Sequence, residues 1–184
     1  MRKVLIPLAN GCEELEAVTL IDLLRRAQIE VITASLTADL TVRASRGVTL
    51  LADTSLDKVI IADFDMMVLP GGQPGTDNLN ADPHIHQLLK AMAAEDKWLA
   101  AVCAAPLVLA SAGLLDGYQA TAYPGALNAD DWPQIKLLDA AVVIDGRRVT
   151  SRGPGTAMDF ALSLIELLTD SATRQQVAAA LVRS

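Results

Sequence analysis

Cys103 ends the apolar run Trp98-Leu99-Ala100-Ala101-Val102, and Ala104, Ala105 and Pro106 follow it. The pattern reads as a strand ending on a nucleophile-type side chain, then an elbow of small residues, then a helix over about Ala105–Ala112 with proline in its first turn. Bulky neighbours would clash where the chain reverses, so the alanines suit the elbow. The amino terminus of such a helix, beginning with the N–H of Ala104, presents free donors and a positive dipole end to the sulfur. That environment lowers a thiol pKa. The competing reading is a small buried apolar residue, the commoner state of a lone cysteine.

Two further elements could serve that thiol. Val68-Leu69-Pro70-Gly71-Gly72 places paired glycines after a strand, where backbone N–H groups stay accessible and a substrate can approach. Gly71 and Gly72 are therefore candidate oxyanion donors, against the plainer reading of a strand-ending turn. In Glu13-Glu14-Leu15-Glu16, Glu16 falls near the apolar positions Ala17, Leu20 and Ile21 of a predicted helix, while Glu13 and Glu14 read as solvated helix-start charges. A buried Glu16 could hydrogen-bond a thiolate or relay protons. His84 and His86 are two apart on a predicted surface helix and share no face. The loop Ser151–Thr156 resembles a phosphate cradle but lacks the lysine of a P-loop, and reads as a turn with Thr156 as helix cap. Cys12 reads as incidental, with the option that it approaches Cys103 on oxidation.

These residues need a scaffold, and strand-like and helix-like stretches alternate along the chain. Lys3–Leu8 reads as a buried strand with Pro7 marking its end. Residues 13–27 read as a helix, acidic in its first turn and basic in its last. Strands follow at Ile29–Leu36, Phe64–Leu69, Trp98–Val102, Ala140–Asp145 and Arg148–Ser151, with two short strands within Leu40–Ala52 around Ser45-Arg46-Gly47. Further helices are predicted at Pro83–Ala94, Thr156–Leu168 and Ala172–Arg183. This order implies an α/β fold with a mostly parallel sheet and helices on both faces, whose ligands collect at the carboxyl ends of the strands.

The chain has 184 residues, enough for one domain over 1–184 with a proper core. With 52% hydrophobic residues and 3% aromatics, that core must be built from aliphatic side chains. A net charge of −7 with no basic run argues against nucleic acid and anionic membranes as partners. The apolar start is too short for a signal peptide and no stretch approaches a membrane span, so a cytoplasmic location is expected. Two cysteines with no Cys/His ligand spacing exclude a disulfide scaffold and a structural zinc site.

Taken together, the motifs resemble the ThiJ/PfpI superfamily, in the branch of the parkinsonism-associated protein and the YajL-like bacterial proteins. The resemblance rests on Gly11–Glu16, Ile21–Ala27, Ser45–Val48, Val68–Gly72, Ala101–Pro106 and Thr150–Thr156, six motifs in order and nearly end to end. It implies a flavodoxin-like three-layer sandwich, a homodimer and no cofactor. Cys103 matches the family's oxidation-prone nucleophile, Glu16 the carboxyl that bonds its sulfur, and Gly71 and Gly72 the neighbouring backbone donors. Arg46 falls where a second subunit or an oxidised sulfur is contacted, and Asp22 and Arg26 fall on the dimer-forming helix. One departure stands out: where much of the family has a histidine, this chain has Tyr123, and a phenol of pKa about 10 is no general base near neutral pH. A Cys-His-Glu triad is therefore not expected here.

The resemblance implies cysteine-dependent handling of small reactive aldehydes or dicarbonyls, as a glyoxalase or a deglycase. The rival readings are a redox-sensing stress protein or chaperone, and a cysteine hydrolase or hydratase, which the missing histidine disfavours.

Overall fold

The computed structural model describes residues 1–182. In chain order the elements are β1 (Lys3–Leu8), α1 (Glu14–Arg26), β2 (Glu30–Ser35), β3 (Thr41–Arg43), β4 (Thr49–Leu51), β5 (Thr54–Ser55), β6 (Met66–Leu69), α2 (Gly75–Ala81), α3 (Pro83–Ala94), β7 (Trp98–Val102), α4 (Pro106–Ser111), β8 (Gln119–Ala120), β9 (Lys136–Leu137), β10 (Val142–Asp145), β11 (Arg148–Ser151), α5 (Ala157–Leu168) and α6 (Ser171–Ala180). The helix expected over Ala172–Arg183 is α6, and its expected end at Arg183 lies outside the described residues.

Seven strands form the main sheet in the order β10-β11-β7-β6-β1-β2-β5. Every pairing in it is parallel except β10 with β11, which form a hairpin around Asp145-Gly146-Arg147. Alternate side chains of each central strand go to opposite faces, and both faces are apolar, as buried parallel strands require. Val4, Ile6, Met66 and Val68 join α1 and α5 in one core layer, through Ala17, Leu20, Leu24, Phe160 and Ile165. Leu5, Met67, Leu69 and Leu99 face the other way onto α3 and α4, through Ile85, Leu89, Met92, Val108 and Leu109. The result is the expected flavodoxin-like α/β sandwich of helices on both faces of a sheet.

Pro7 does not end β1. The strand runs on, with Pro7 paired to Ala34 and Leu8 to Ser35 of β2. The reason is the direction of the missing donor. Lys3 turns its carbonyl to the β6 side, where Asp65 N–H donates to it at 2.9 Å, and alternation puts the Pro7 nitrogen on that same side. The β1–β6 register covers Val4 and Leu5 only, so no ladder bond is lost.

The strand order places the site. From β1 the chain proceeds outward to β2 and β5, then returns to lay β6 on the other side of β1. The order thus reverses between β1 and β6, which opens a crevice at their carboxyl ends. The turns after β1, β6 and β7 all reach that end, and they carry Glu16, Gly71-Gly72 and Cys103. The two short strands expected around Ser45-Arg46-Gly47 form the antiparallel hairpin β3–β4, which stands apart from the main sheet and carries Arg46 at its tip.

Candidate active site

Cys103 sits in the left-handed region with φ 63°, a conformation that costs a non-glycine residue about 1–3 kcal/mol and persists only when the surroundings impose it. They do so from both sides. The Cys103 N–H donates to the Ser151 carbonyl at the end of β11 (3.0 Å), and the Cys103 carbonyl accepts from Tyr123 N–H (2.7 Å). Because β7 is clamped between β6 and β11, its last residue cannot relax along the strand. The expected elbow is therefore present. The helix after it is shorter than the sequence suggested: α4 has six residues, so its macrodipole is small.

Glu16, two residues into α1, is fully buried on the side of that helix facing the sheet, while Leu15 points outward. Its Oε2 accepts from Gly71 N–H at 2.8 Å. Gly71 is thus committed to the carboxyl rather than free to act as an oxyanion donor. A side chain here could not be accommodated: a Cβ on Gly71 would lie 2.6 Å from Cys103 Cβ and 2.9 Å from Glu16 Oε2. The N–H groups directed at the Cys103 sulfur are those of Gly72 and Ala104. Gly72 itself has φ 91°, with its missing Cβ against the Glu13 nitrogen.

The electrostatics correct one expectation. The thiol of Cys103 is pushed up to about 12, first by burial and then by the neighbouring Glu16 carboxylate; the Gly72 and Ala104 donors pull the other way without prevailing. Glu16 is itself pushed up to about 7, chiefly by burial. Its Oε1 is buried and makes no hydrogen bond of regular geometry, although the carboxyl and the sulfur are close enough to perturb each other. The two groups therefore titrate as a pair. The carboxyl is the more acidic of the two, so the first proton lost comes mainly from Glu16. A proton kept on Glu16 removes the charge that opposes a thiolate, and the two backbone donors are the other groups that favour one.

Cys103 is 8% exposed at the floor of a cleft of about 260 Å³ whose walls include Arg46, Gly72, Ala104, Tyr123 and Pro154. That volume suits a ligand of a few heavy atoms. Glu13 and Glu14 are not simply solvated. Ser45 Oγ lies 3.0 Å from Glu13 Oε2 and 2.9 Å from Glu14 Oε2, and the Arg46 N–H donates to Glu14 Oε1 at 2.8 Å. The two carboxylates pin the hairpin tip over the cleft, bringing Arg46 to its rim. These contacts link residues more than thirty positions apart, and no local pattern announces them.

Other expectations fall elsewhere. Asp22 and Arg26 pair with each other along α1 at 2.8 Å, away from the cleft. Arg26 borders a separate groove of about 540 Å³ between the end of α1 and α6, lined by Gln28, Thr173, Gln176 and Val177 and containing no cysteine or carboxylate. Thr156 precedes α5, but its hydroxyl accepts from Gly153 N–H (3.1 Å) and meets Ser151 Oγ (2.7 Å) rather than capping the helix. His84 and His86 lie on α3, and a His86 ring nitrogen meets the Asn80 carbonyl at 2.8 Å. Cys12 is fully buried and free. Among the described residues no helix is long and apolar enough to cross a membrane.

An α/β sandwich whose reversal crevice holds a strained cysteine beside a buried glutamate defines a class of cysteine-elbow proteins. Within that class the chain belongs to the DJ-1/PfpI family, which it matches over residues 2–167. It is 40% identical over 186 residues to protein dj-1beta of Drosophila melanogaster, covering 98% of this chain and 97% of that one. The crystal structure of Drosophila melanogaster DJ-1beta superposes with a TM-score of 0.93 at 39% identity, over 100% of this chain and 98% of the other. Protein DJ-1 homolog A of Arabidopsis thaliana is 39% identical over 182 residues, 98% of this chain but 46% of that protein, so the chain spans about half the length of this relative. The glutathione-independent glyoxalase DJR-1.2 of Caenorhabditis elegans is 33% identical over 165 residues, 90% of this chain and 87% of that protein.

Proposed function

We propose that the chain works as one domain and as a cofactor-independent enzyme that converts small reactive dicarbonyls to hydroxy acids, with Cys103 as nucleophile and Glu16 as the proton carrier. The observation that carries this reading is a strained thiol at the cleft floor beside a fully buried carboxyl pushed up to about 7. Similarity to a named glyoxalase supports it. With the proton on Glu16, the thiolate attacks the aldehyde carbon of methylglyoxal. The C–S bond forms and the carbonyl oxygen takes the proton from Glu16, giving a hemithioacetal. The Glu16 carboxylate then removes the proton from the former aldehyde carbon, giving an enediol as the hydroxyl proton passes from the former aldehyde oxygen to the former ketone oxygen, and returns its proton to the neighbouring carbon, leaving a thioester of lactate. Water cleaves the thioester, releasing lactate and restoring the thiol. The sequence is redox-neutral and calls on no histidine, consistent with Tyr123 at the cleft. Its small volume matches a substrate of this size. The same attack on a glycated thiol or amine would make a deglycase.

Purified protein incubated with methylglyoxal is expected to yield lactate, and Cys103→Ala none. Equal lactate from both overturns the reading.

A second reading, redox sensing in a stress response, is favoured by Glu16 Oε1, a buried oxygen lacking a regular partner and positioned to accept from an oxidised, protonated Cys103. Under mild peroxide it predicts a mass gain of one or two oxygens that Cys103→Ser abolishes. We place the protein in the cytoplasm as a homodimer, since Leu15 and Val18 on α1 and Val48 and Leu51 on the hairpin expose large apolar side chains that a second copy would cover. Light scattering that gives a monomer mass at micromolar concentration counts against the dimer.

A further inference from the structure

Tyr123 borders two concavities at once. One is the thiol cleft; the other, of about 230 Å³, lies on its far side and is lined by Ala122, Leu127, Leu137, Leu138 and Arg152. From the chemistry of this second groove, the geometry points to a subsite for the distal part of the substrate, one that takes an uncharged apolar tail of about the size of a ring. Tyr123 is the residue that joins the two sites and sets this preference. The inference rests on the proposed attack of Cys103 on a carbonyl carbon, and it extends that reading from the smallest dicarbonyls to those with an apolar substituent.

Three observations carry it. First, Tyr123 is fixed relative to the sulfur, because its N–H donates to the Cys103 carbonyl at 2.7 Å. Its ring rests against Gly153, where a Cβ would lie 3.3 Å from Cδ2. Secondly, the ring is 50% exposed and its hydroxyl makes no hydrogen bond among the described residues, in a protein with only 3% aromatic residues. An open aromatic face beside a nucleophile offers stacking and apolar contact to whatever is bound there. Thirdly, Ala122, Leu127, Leu137 and Leu138 give the groove apolar lining, and its one cation is already matched. Arg152 pairs with Asp139 at 2.7 Å, so the groove presents no unpaired charge to attract an anion. A tail that is both apolar and neutral fits this lining better than a carboxylate or a phosphate.

The test uses two electrophiles that react with Cys103 by the same step, in which the sulfur displaces iodide from a CH2 carbon. Iodoacetamide has no tail; N-benzyl-iodoacetamide carries a ring. The readout is the ratio of their rates at Cys103, divided by the same ratio for glutathione. The full-length protein is expected to favour the benzyl compound by about five- to tenfold. Tyr123→Ala should bring the ratio back to about one, Tyr123→Phe should preserve it because the hydroxyl is not used, and Leu138→Gln should lower it by severalfold. A wild-type ratio near one, or a loss with Tyr123→Phe as large as with Tyr123→Ala, overturns the subsite. A third arm needs no thiol chemistry: N-benzylacetamide titrated into the protein should shift the methyl NMR signals of Leu137 and Leu138, while acetamide should not. Absence of these shifts also overturns the subsite. If neither iodo compound reacts but the methyl shifts appear, the nucleophile reading fails and the groove stands.

Discussion

Cys12 and Cys103 follow the carboxyl ends of two strands of one sheet, and both thiols are free. Both are buried, and burial is the first cause that pushes each upward, Cys12 to about 11 and Cys103 to about 12. In each case glutamates add to the rise, Glu14 first and then Glu13 and Glu16 for Cys12, and Glu16 for Cys103. The contrast lies in what those glutamates can do. Burial, the largest single cause, raises Glu14, but hydrogen bonds from its own N–H, Ser45, Arg46 and Val48 together outweigh it and hold Glu14 below the usual carboxylate range, so it stays charged near neutral pH. Glu16, desolvated and lifted to about 7, can take one. Cys103 also has a cleft, two N–H donors and an enforced left-handed backbone, whereas Cys12 is fully enclosed. A high resting pKa is therefore common to both thiols, and the reactivity proposed for Cys103 rests on the proton acceptor beside it.

The largest expected effect comes from exchanging the two positions as targets. Cys103→Ser should lower dicarbonyl turnover by about a thousandfold or more and abolish labelling of the native protein by iodoacetamide. Cys12→Ser should leave both within about twofold. Peptide mapping after native labelling checks this directly, and modification of Cys12 in the folded protein would erase the distinction.

Next in size is Glu16→Gln. The amide retains an acceptor for Gly71 N–H but cannot carry a proton, so turnover should fall by about a hundredfold. The alkylation profile of wild-type Cys103 against pH should rise in two steps, the first near 7 as the pair loses its first proton, and the variant in one step. Stability gives an independent check. The folded-state pKa of Glu16 is raised, so its contribution is fully present below the unfolded value of 4.5 and is lost as pH rises through about 7. Relative to Glu16→Gln, the wild type should lose on the order of 3 kcal/mol between pH 4.5 and 8. Parallel denaturation curves across that range would show that the charge is not buried at all.

Much of the positioning was legible because it rests on local signals. The spans Pro83–Ala94, Trp98–Val102 and Arg148–Ser151 follow from proline at a first turn, an undiluted apolar run and a hairpin turn, each contained in a few residues. The site residues Cys103, Glu16 and Gly72 were also readable, one from its elbow, one from helical phase and one from a strand-ending turn. What the sequence did not disclose depends on distant partners. The direction of the thiol shift needed the distance between α1 and β7. The commitment of Gly71 N–H to Glu16, and of Glu13 and Glu14 to Ser45, needed the third dimension. Pro7 was misread because the side to which a strand residue turns its nitrogen depends on which neighbour it faces. The small elements α2, β8 and β9 carry too few residues for periodicity to show.

Glycines sharpen the comparison on a smaller scale. Gly71→Ala puts a methyl between the sulfur-bearing residue and its proton partner, 2.8 Å from the Val102 carbonyl as well as against Cys103 and Glu16. It should cost about 2 kcal/mol of stability and separate the pair, lowering turnover by more than tenfold. Gly155→Ala, in the loop after β11, meets nothing within 4 Å and should change neither. Equal behaviour of the two variants in thermal melts and lactate assays would mean that the Cys103–Glu16 approach is looser than these contacts require.

The smallest effect belongs to the other glutamate. Glu14→Gln removes the charge beside Cys12 and weakens the bonds to Ser45 and Arg46. Because Glu14 is only partly buried and borders solvent, screening leaves its hydrogen bonds worth about 1 kcal/mol or less. The sign follows from its depressed pKa: the stabilisation is present above the unfolded value of 4.5 and disappears as pH falls through the lower folded value. Wild type and Glu14→Gln should therefore differ slightly at pH 7 and converge in acid once pH has fallen below the folded value, the reverse of the trend for Glu16→Gln. The thiol of Cys12 should titrate lower once the charge is gone, yet stay unlabelled in the native protein, because lowering its pKa opens no path to it. If Glu14→Gln made Cys12 react, charge rather than enclosure would be what keeps it inert. The two cysteines would then differ only in the company of their glutamates.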